Sequence, residues 1–141
     1  MPWRISFEIW GEDFRPSRVP FAFTEQNDPG LIGTVGLYRG KPLPYGSASY
    51  VVPPSVPTID RIKHIVETFE PLMPAVRDAG ATTWHISIGR FYYAQCNEEY
   101  SLEELQMIAR LGCGFIYSAY SITEDEEREL EKKYESHNPV V

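Results

Sequence analysis

Residues 3–10 read Trp3-Arg4-Ile5-Ser6-Phe7-Glu8-Ile9-Trp10. Trp3, Ile5, Phe7 and Ile9 alternate with Arg4, Ser6 and Glu8. Successive side chains of a strand point to opposite faces, so this period of two predicts a strand with one buried and one wet face. Residues 82–93 repeat the pattern: Trp84, Ile86 and Ile88 alternate with Thr83, His85 and Ser87. Half-wet strands belong to a sheet that helices cover on one side only. The fold class that follows is α+β, a two-layer sandwich with a mostly antiparallel sheet of about five strands and helices over one face.

Working outward, Asp13–Val19 resembles a helix start, with Pro16 in its first turn and Asp13 placed to cap it, before Pro20 stops it. Residues 26–30 hold Asn27, Asp28, Pro29 and Gly30, a loop signal. Leu31–Tyr38 reads as β-like despite Gly33 and Gly36, and Ser47–Val52 as its hairpin partner. After Pro53, Pro54 and Pro57, a helix face recurs at spacings of three and four: Ile59, Ile62, Ile65, Val66, Phe69, Leu72, Met73 and Val76. Thr58 is its expected N-cap, Pro71 and Pro74 should divide it near Glu70, and Gly80 should end it. Ser101-Leu102-Glu103-Glu104 is a capping box, followed by Leu102, Leu105, Ile108 and Leu111 on one helix face and Gly112 as its stop. Phe115–Ile122 reads as the last strand. The domain is expected to span residues 1–123, with 124–141 an acidic helix or tail.

The chain has 141 residues and a formal charge of -7. An acidic surface is unsuited to non-specific nucleic-acid binding, which works by displacing counterions from phosphates with basic groups. It suits either plain solubility or electrostatic steering toward a basic partner. The apolar runs are too short to cross a bilayer as helices. Trp3–Trp10 alternates instead of forming a continuous apolar stretch, so no secretory leader is expected, the chain is expected to begin at Met1, and a cytoplasmic location follows. Cys96 and Cys113 are too few for a disulfide scaffold.

No strong catalytic pattern is present. Adjacent Glu12 and Asp13 point apart in extended chain, which makes a poor acid–base pair and a good turn. His64, His85 and His137 are isolated, without metal-ligand spacing. Arg39-Gly40-Lys41 is a turn, too short for a phosphate-binding loop. No cofactor or metal is expected. Phe91-Tyr92-Tyr93, with Tyr100, Tyr117 and Tyr120, forms an aromatic-rich region that can be core or interface. Glu124–Glu127 is a run of four acids, either solvated or placed to steer a cationic partner.

Two blocks carry a resemblance. Ile9-Trp10-Gly11-Glu12-Asp13-Phe14-Arg15-Pro16 and Ser101-Leu102-Glu103-Glu104-Leu105, leading to Ala109-Arg110-Leu111-Gly112 and Phe115-Ile116-Tyr117, are similar to the bacterial family known as domain of unknown function 4279. The likeness covers about residues 3–122. It departs at 19–31, where the family more often continues a helix and this chain has Pro20 and the Asn27–Gly30 loop. Small acidic members of that family look like immunity proteins, cytosolic antidotes to toxins exchanged between bacteria. The resemblance implies a non-enzymatic monomer or weak homodimer that binds a cognate, basic toxin domain. In that reading Tyr92 and Tyr93 anchor the partner beside Asn97, Glu98 and Glu99, and Glu124, Asp125 and Glu126 steer it. The alternatives are a small ligand-binding or enzymatic domain using Glu12, Asp13 or His85, and a regulatory domain with an unrelated protein partner.

Overall fold

The structure is a computed structural model that describes residues 3–137, with side chains described through residue 133. Five strands form one open sheet: β1 (Trp3–Gly11), β2 (Glu25–Asn27), β3 (Gly46–Val51), β4 (Thr83–Tyr92) and β5 (Gly114–Ser121), in the order β2-β3-β1-β4-β5. Every pairing is antiparallel except β4–β5, which is parallel. Helix α3 (Leu102–Leu111) makes the crossover that a parallel pair requires. Helices α1 (Arg61–Phe69) and α2 (Met73–Asp78) precede β4, and α4 (Glu124–His137) follows β5. The mixed sheet with helices makes the α+β class that the alternation predicts.

The register explains the layers. Ile5 faces Ile88 and Phe7 faces Ile86 across β1–β4, while Ile9 faces Ala48 across β1–β3. These side chains meet Ile62, Ile65, Val66 and Phe69 of α1, all fully buried. Phe7 and Phe69 have ring centroids 4.5 Å apart. On the other face Ser6 lies opposite Ser87, and Glu8 opposite His85. The long helix predicted after Pro57 is divided at Glu70, where a 3-10 turn (Glu70–Leu72) separates α1 from α2. Pro71 and Pro74 lack the N–H groups a continuous ladder needs. Ser101 caps α3: its hydroxyl accepts from Glu104 N at 3.0 Å, and the Glu104 carboxylate accepts from Ser101 N at 3.2 Å.

Residues 9–16 turn out to be a packing device. Phe14 is fully buried, while Glu12 and Asp13 are exposed in the turn before it. Three glycines close on that turn. A Cβ on Gly46 would lie 1.6 Å from the Phe14 carbonyl oxygen, and one on Gly80 would lie 2.5 Å from the Asp13 carbonyl oxygen. Gly80 also has φ +102°, which side chains resist. A Cβ on Gly11 would lie 2.6 Å from Gly80 O.

Several expectations are corrected. Asp13 caps nothing: the following segment is a 3-10 turn, Pro16–Arg18, with Arg15 before it and no side-chain cap. Thr58 likewise makes no cap bond and begins a 3-10 turn, Thr58–Asp60. The strand paired with β3 on its outer side is Glu25–Asn27, not Leu31–Tyr38. The latter stretch folds on itself, with Gly40 N donating to Gly33 O at 2.8 Å and a 3-10 turn at Gly36–Tyr38. Glycines at 33, 36 and 40 let it turn locally, and Leu31, Ile32, Val35 and Leu37 stay exposed. On α3 only Ile108 and Leu111 of the predicted face are buried; Leu102 and Leu105 are exposed.

Candidate interaction site

Parallel strands leave a sheet at the same end. Tyr92 of β4 lies beside Ser121 of β5, and Ile122 N donates to Tyr92 O at 2.9 Å. Two segments far apart in sequence, 92–99 and 124–126, therefore depart from one end of the sheet. The two groups nominated from the sequence thus follow neighbouring strand ends, while Glu99 itself lies in a groove with Ile59, Asp60 and Lys63 at the α1 start and Ser101 and Glu103 at the α3 start.

The loop from 93 to 100 has no regular hydrogen-bonded structure, yet side chains fasten it at several points. Glu98 accepts from Arg61 of α1 at 2.7 Å and from Arg90 of β4 at 2.9 Å. Arg90 also donates to Asn97 O at 2.7 Å. Both arginines are 6% exposed. Their guanidinium groups sit over Trp3 at 4.6 Å and 5.2 Å, and Arg61 also faces the Tyr100 ring at 5.0 Å. The flat, weakly hydrated guanidinium suits such stacking. Two bases share one carboxylate here, with the Glu104 carboxylate 3.9 Å from Arg61. Toward β5, the Cys96 thiol lies 2.9 Å from the Tyr117 hydroxyl, and Tyr100 packs edge-on to Phe115. Burial, then the Cys96 contact, pushes Tyr117 up to about 12. Burial, then the Glu98 charge, also raises Tyr100.

This cluster reassigns Glu98. It is not an acid on an open rim: its side chain is 12% exposed and occupied by two arginines. Its neighbours Asn97 and Glu99 face solvent, Tyr92 is half-buried, and Tyr93 is 48% exposed. The acids at the start of α4 have local partners as well. Glu126 forms a capping box with Thr123: Thr123 N donates to the Glu126 carboxylate at 2.9 Å, and Glu126 N to the Thr123 hydroxyl at 3.2 Å. Arg128 pairs with Glu124 and Asp125. Acids in a first turn also meet the positive end of the helix dipole, so part of this acidic run serves the helix itself.

The residues of the enzymatic alternative are not gathered. His85 lies mid-sheet across from Glu8, whereas Glu12 and Asp13 sit in the turn beyond the end of β1. Glu8 accepts from Ser6 at 2.8 Å and Ser49 at 2.9 Å. That face of the sheet holds a trough of about 340 Å³ lined by Arg4, Ser6, Glu8, Ser87, Phe91 and Tyr120 among others. His64 bonds to the Tyr50 hydroxyl at 2.8 Å. The side chain of His137 lies outside the described residues. Cys113 is half-buried, and burial raises its thiol, in keeping with a packing role.

Sequence reading missed Arg61, Arg90 and Trp3. A signal was available. Arg90 continues the inward series Ile86, Ile88, and Arg61 is one helical turn before the buried Ile65. A charge at an inward position calls for a buried counter-charge. No family model matches the chain, and neither does any curated protein or solved structure. Among the described residues no helix is long and apolar enough to cross a membrane.

Proposed function

We propose that the chain is a non-catalytic binding protein, an immunity protein that neutralises a basic bacterial toxin domain from the cytoplasm. The observation that supports this most is that the segment carrying exposed Tyr93, Asn97 and Glu99 and the segment that opens α4 with four acids leave neighbouring strands at the same end of the sheet. Glu98, Cys96 and Tyr100 hold the loop from within, so a partner would meet a surface already ordered, which lowers the entropic cost of binding. An aromatic side chain beside acids is a common recognition element, with the ring supplying contact area and the acids supplying speed of encounter.

Calorimetric titration with any toxin domain encoded beside this gene tests the proposal. Raising ionic strength from about 0.1 M to about 1 M shortens the screening length from ~10 Å to ~3 Å. One-to-one binding that weakens with salt, and weakens further in Glu99→Lys, is the expected result. Binding heats that stay flat at both salt concentrations would overturn it and turn attention to the trough between Arg4 and Tyr120.

A further inference from the structure

The two edges of the sheet differ in kind. β2 is three residues long and carries Glu25. β5 is eight residues long and reads Gly-Phe-Ile-Tyr-Ser-Ala-Tyr-Ser, without a charge or a proline. The whole chain has 13 basic and 20 acidic residues, yet none falls on this edge. Soluble proteins usually guard a long edge with charges, prolines, bulges or a covering element, because its unpaired backbone groups template another strand. Here Phe115, Ile116 and Tyr120 are 37%, 46% and 51% exposed.

The direction of the free backbone groups follows from one bond. Ile122 N points to β4. Backbone direction alternates along a strand, so Ile116, Ser118 and Tyr120 also turn their N–H and C=O toward β4. Phe115, Tyr117, Ala119 and Ser121 turn theirs to the open side, where no described residue pairs with them.

We infer that β5 pairs antiparallel with β5 of a second copy, about a two-fold axis at Ser118, joining two sheets into one. Opposed residues of a ladder share a face, which restricts the register to axes centred on a residue. With the axis at Ser118, Ile116 opposes Tyr120 of the second copy, and Tyr117 opposes its Ala119. Exposed Ile116 and Tyr120 then cover one another, Tyr117 meets the small Ala119 and Phe115 meets Ser121, and the close, non-hydrogen-bonded position at the axis is filled by serine. An axis at Tyr117 would set that tyrosine against itself and leave Ile116 facing serine. A copy of this chain is the fitting occupant because the strip is its own complement in this register. It is also an uncharged strip on which two chains of charge -7 can meet. The strip is about 26 Å long at ~3.3 Å per residue. A single strand of that length makes a small interface, so the dimer forms with concentration and is not obligate. This inference stands apart from the toxin-binding proposal.

Sedimentation velocity of the full chain from roughly 1 to 500 μM, a range that brackets a micromolar constant, tests it. A dimer fraction that rises with concentration is expected. It should also rise with salt, which screens the mutual repulsion, and this is the opposite sign to toxin binding. Ser118→Lys and Ser118→Glu each set like charges face to face at the axis and should weaken dimerisation by about tenfold or more. An equimolar mixture of the two should dimerise again. Ile116→Glu, at a more exposed position, should weaken the dimer as well and serves if a Ser118 variant loses its circular-dichroism signature. A wild-type chain that stays monomeric across the range overturns the inference. So does unchanged dimerisation of the charged variants, or a mixture that fails to recover.

Discussion

The two ends of the sheet are closed by opposite means. Where β1 stops and β3 and β4 begin, backbones touch because side chains are missing: Gly11, Gly46 and Gly80 surround the turn that buries Phe14. At the other end, where β1 begins and β4 and β5 stop, the space is filled by charge: Trp3, Arg61, Arg90, Glu98 and Tyr100 form one buried cluster. A glycine-packed end fixes the backbone directly and presents little but its turn. A side-chain-packed end can hold an irregular loop by two or three anchors and leave the intervening residues free to face out. Loops positioned by a rigid scaffold are where binding groups usually sit, which makes the charged end the place to look for function.

The most damaging way to break this comparison is Gly46→Ala. The new methyl would lie 1.6 Å from a carbonyl oxygen of the buried turn, so backbone must move and Phe14 with it. A loss of about 4 kcal/mol or more is expected, in the range reserved for core strain. Urea unfolding followed by circular dichroism reads it. A loss below about 1 kcal/mol would mean that the turn yields easily and that the glycines are not what closes this end.

Glu98→Ala attacks the other end. It leaves two buried guanidinium groups without their shared carboxylate, and removal of one partner from a buried pair costs about 3 kcal/mol or more. The damage should be local as well as global: amide exchange across residues 93–100 should quicken while the Phe14 turn keeps its protection. Replacing Arg61 and Arg90 by Met in the same chain should recover much of the loss, since apolar packing often substitutes for a buried ionic cluster. If the single variant is as stable as wild type, the anchors are ornamental and the loop is held by its backbone.

The contrast also explains what was legible in the sequence. Strands β1 and β4 announce themselves because one face is buried along their whole length, and Ser101 and Gly112 mark α3 because caps depend on a few neighbouring residues. The glycine-packed turn was visible as a turn, but its purpose was not: Gly46 and Gly80 lie 35 and 69 residues from Gly11, and only the fold brings them together. Leu31–Tyr38 misleads because apolar content resembles a strand even where the side chains stay exposed. At the candidate site, Tyr93 and Glu99 are where an exposed reading puts them. Glu98 differs from Glu99 only in which way the chain turns, and that depends on Arg61 and Arg90, which are 37 and 8 residues away.

The smallest expected effect separates the two ends by pH. Tyr117 belongs to the charged end, and its hydroxyl is held protonated up to about 12, against an ordinary value of 10.0, first by burial and then by the Cys96 contact. Tyr100 beside it shifts the same way, again chiefly through burial. The unfolded chain releases these protons near pH 10, whereas the folded chain retains them, so between those values the folded state binds more protons and stability falls as pH rises. The contribution is complete below about pH 10 and is lost progressively toward about pH 12. Urea midpoints measured in steps across that window should decline. Tyr117→Phe should lower the starting stability slightly, because the bond to Cys96 is gone, and should also flatten the slope. The slope is the informative reading: a merely structural tyrosine would change the starting value and leave the pH dependence as it was. An undiminished slope in Tyr117→Phe would assign the alkaline sensitivity to other groups and remove Tyr117 from the account of how this end is held.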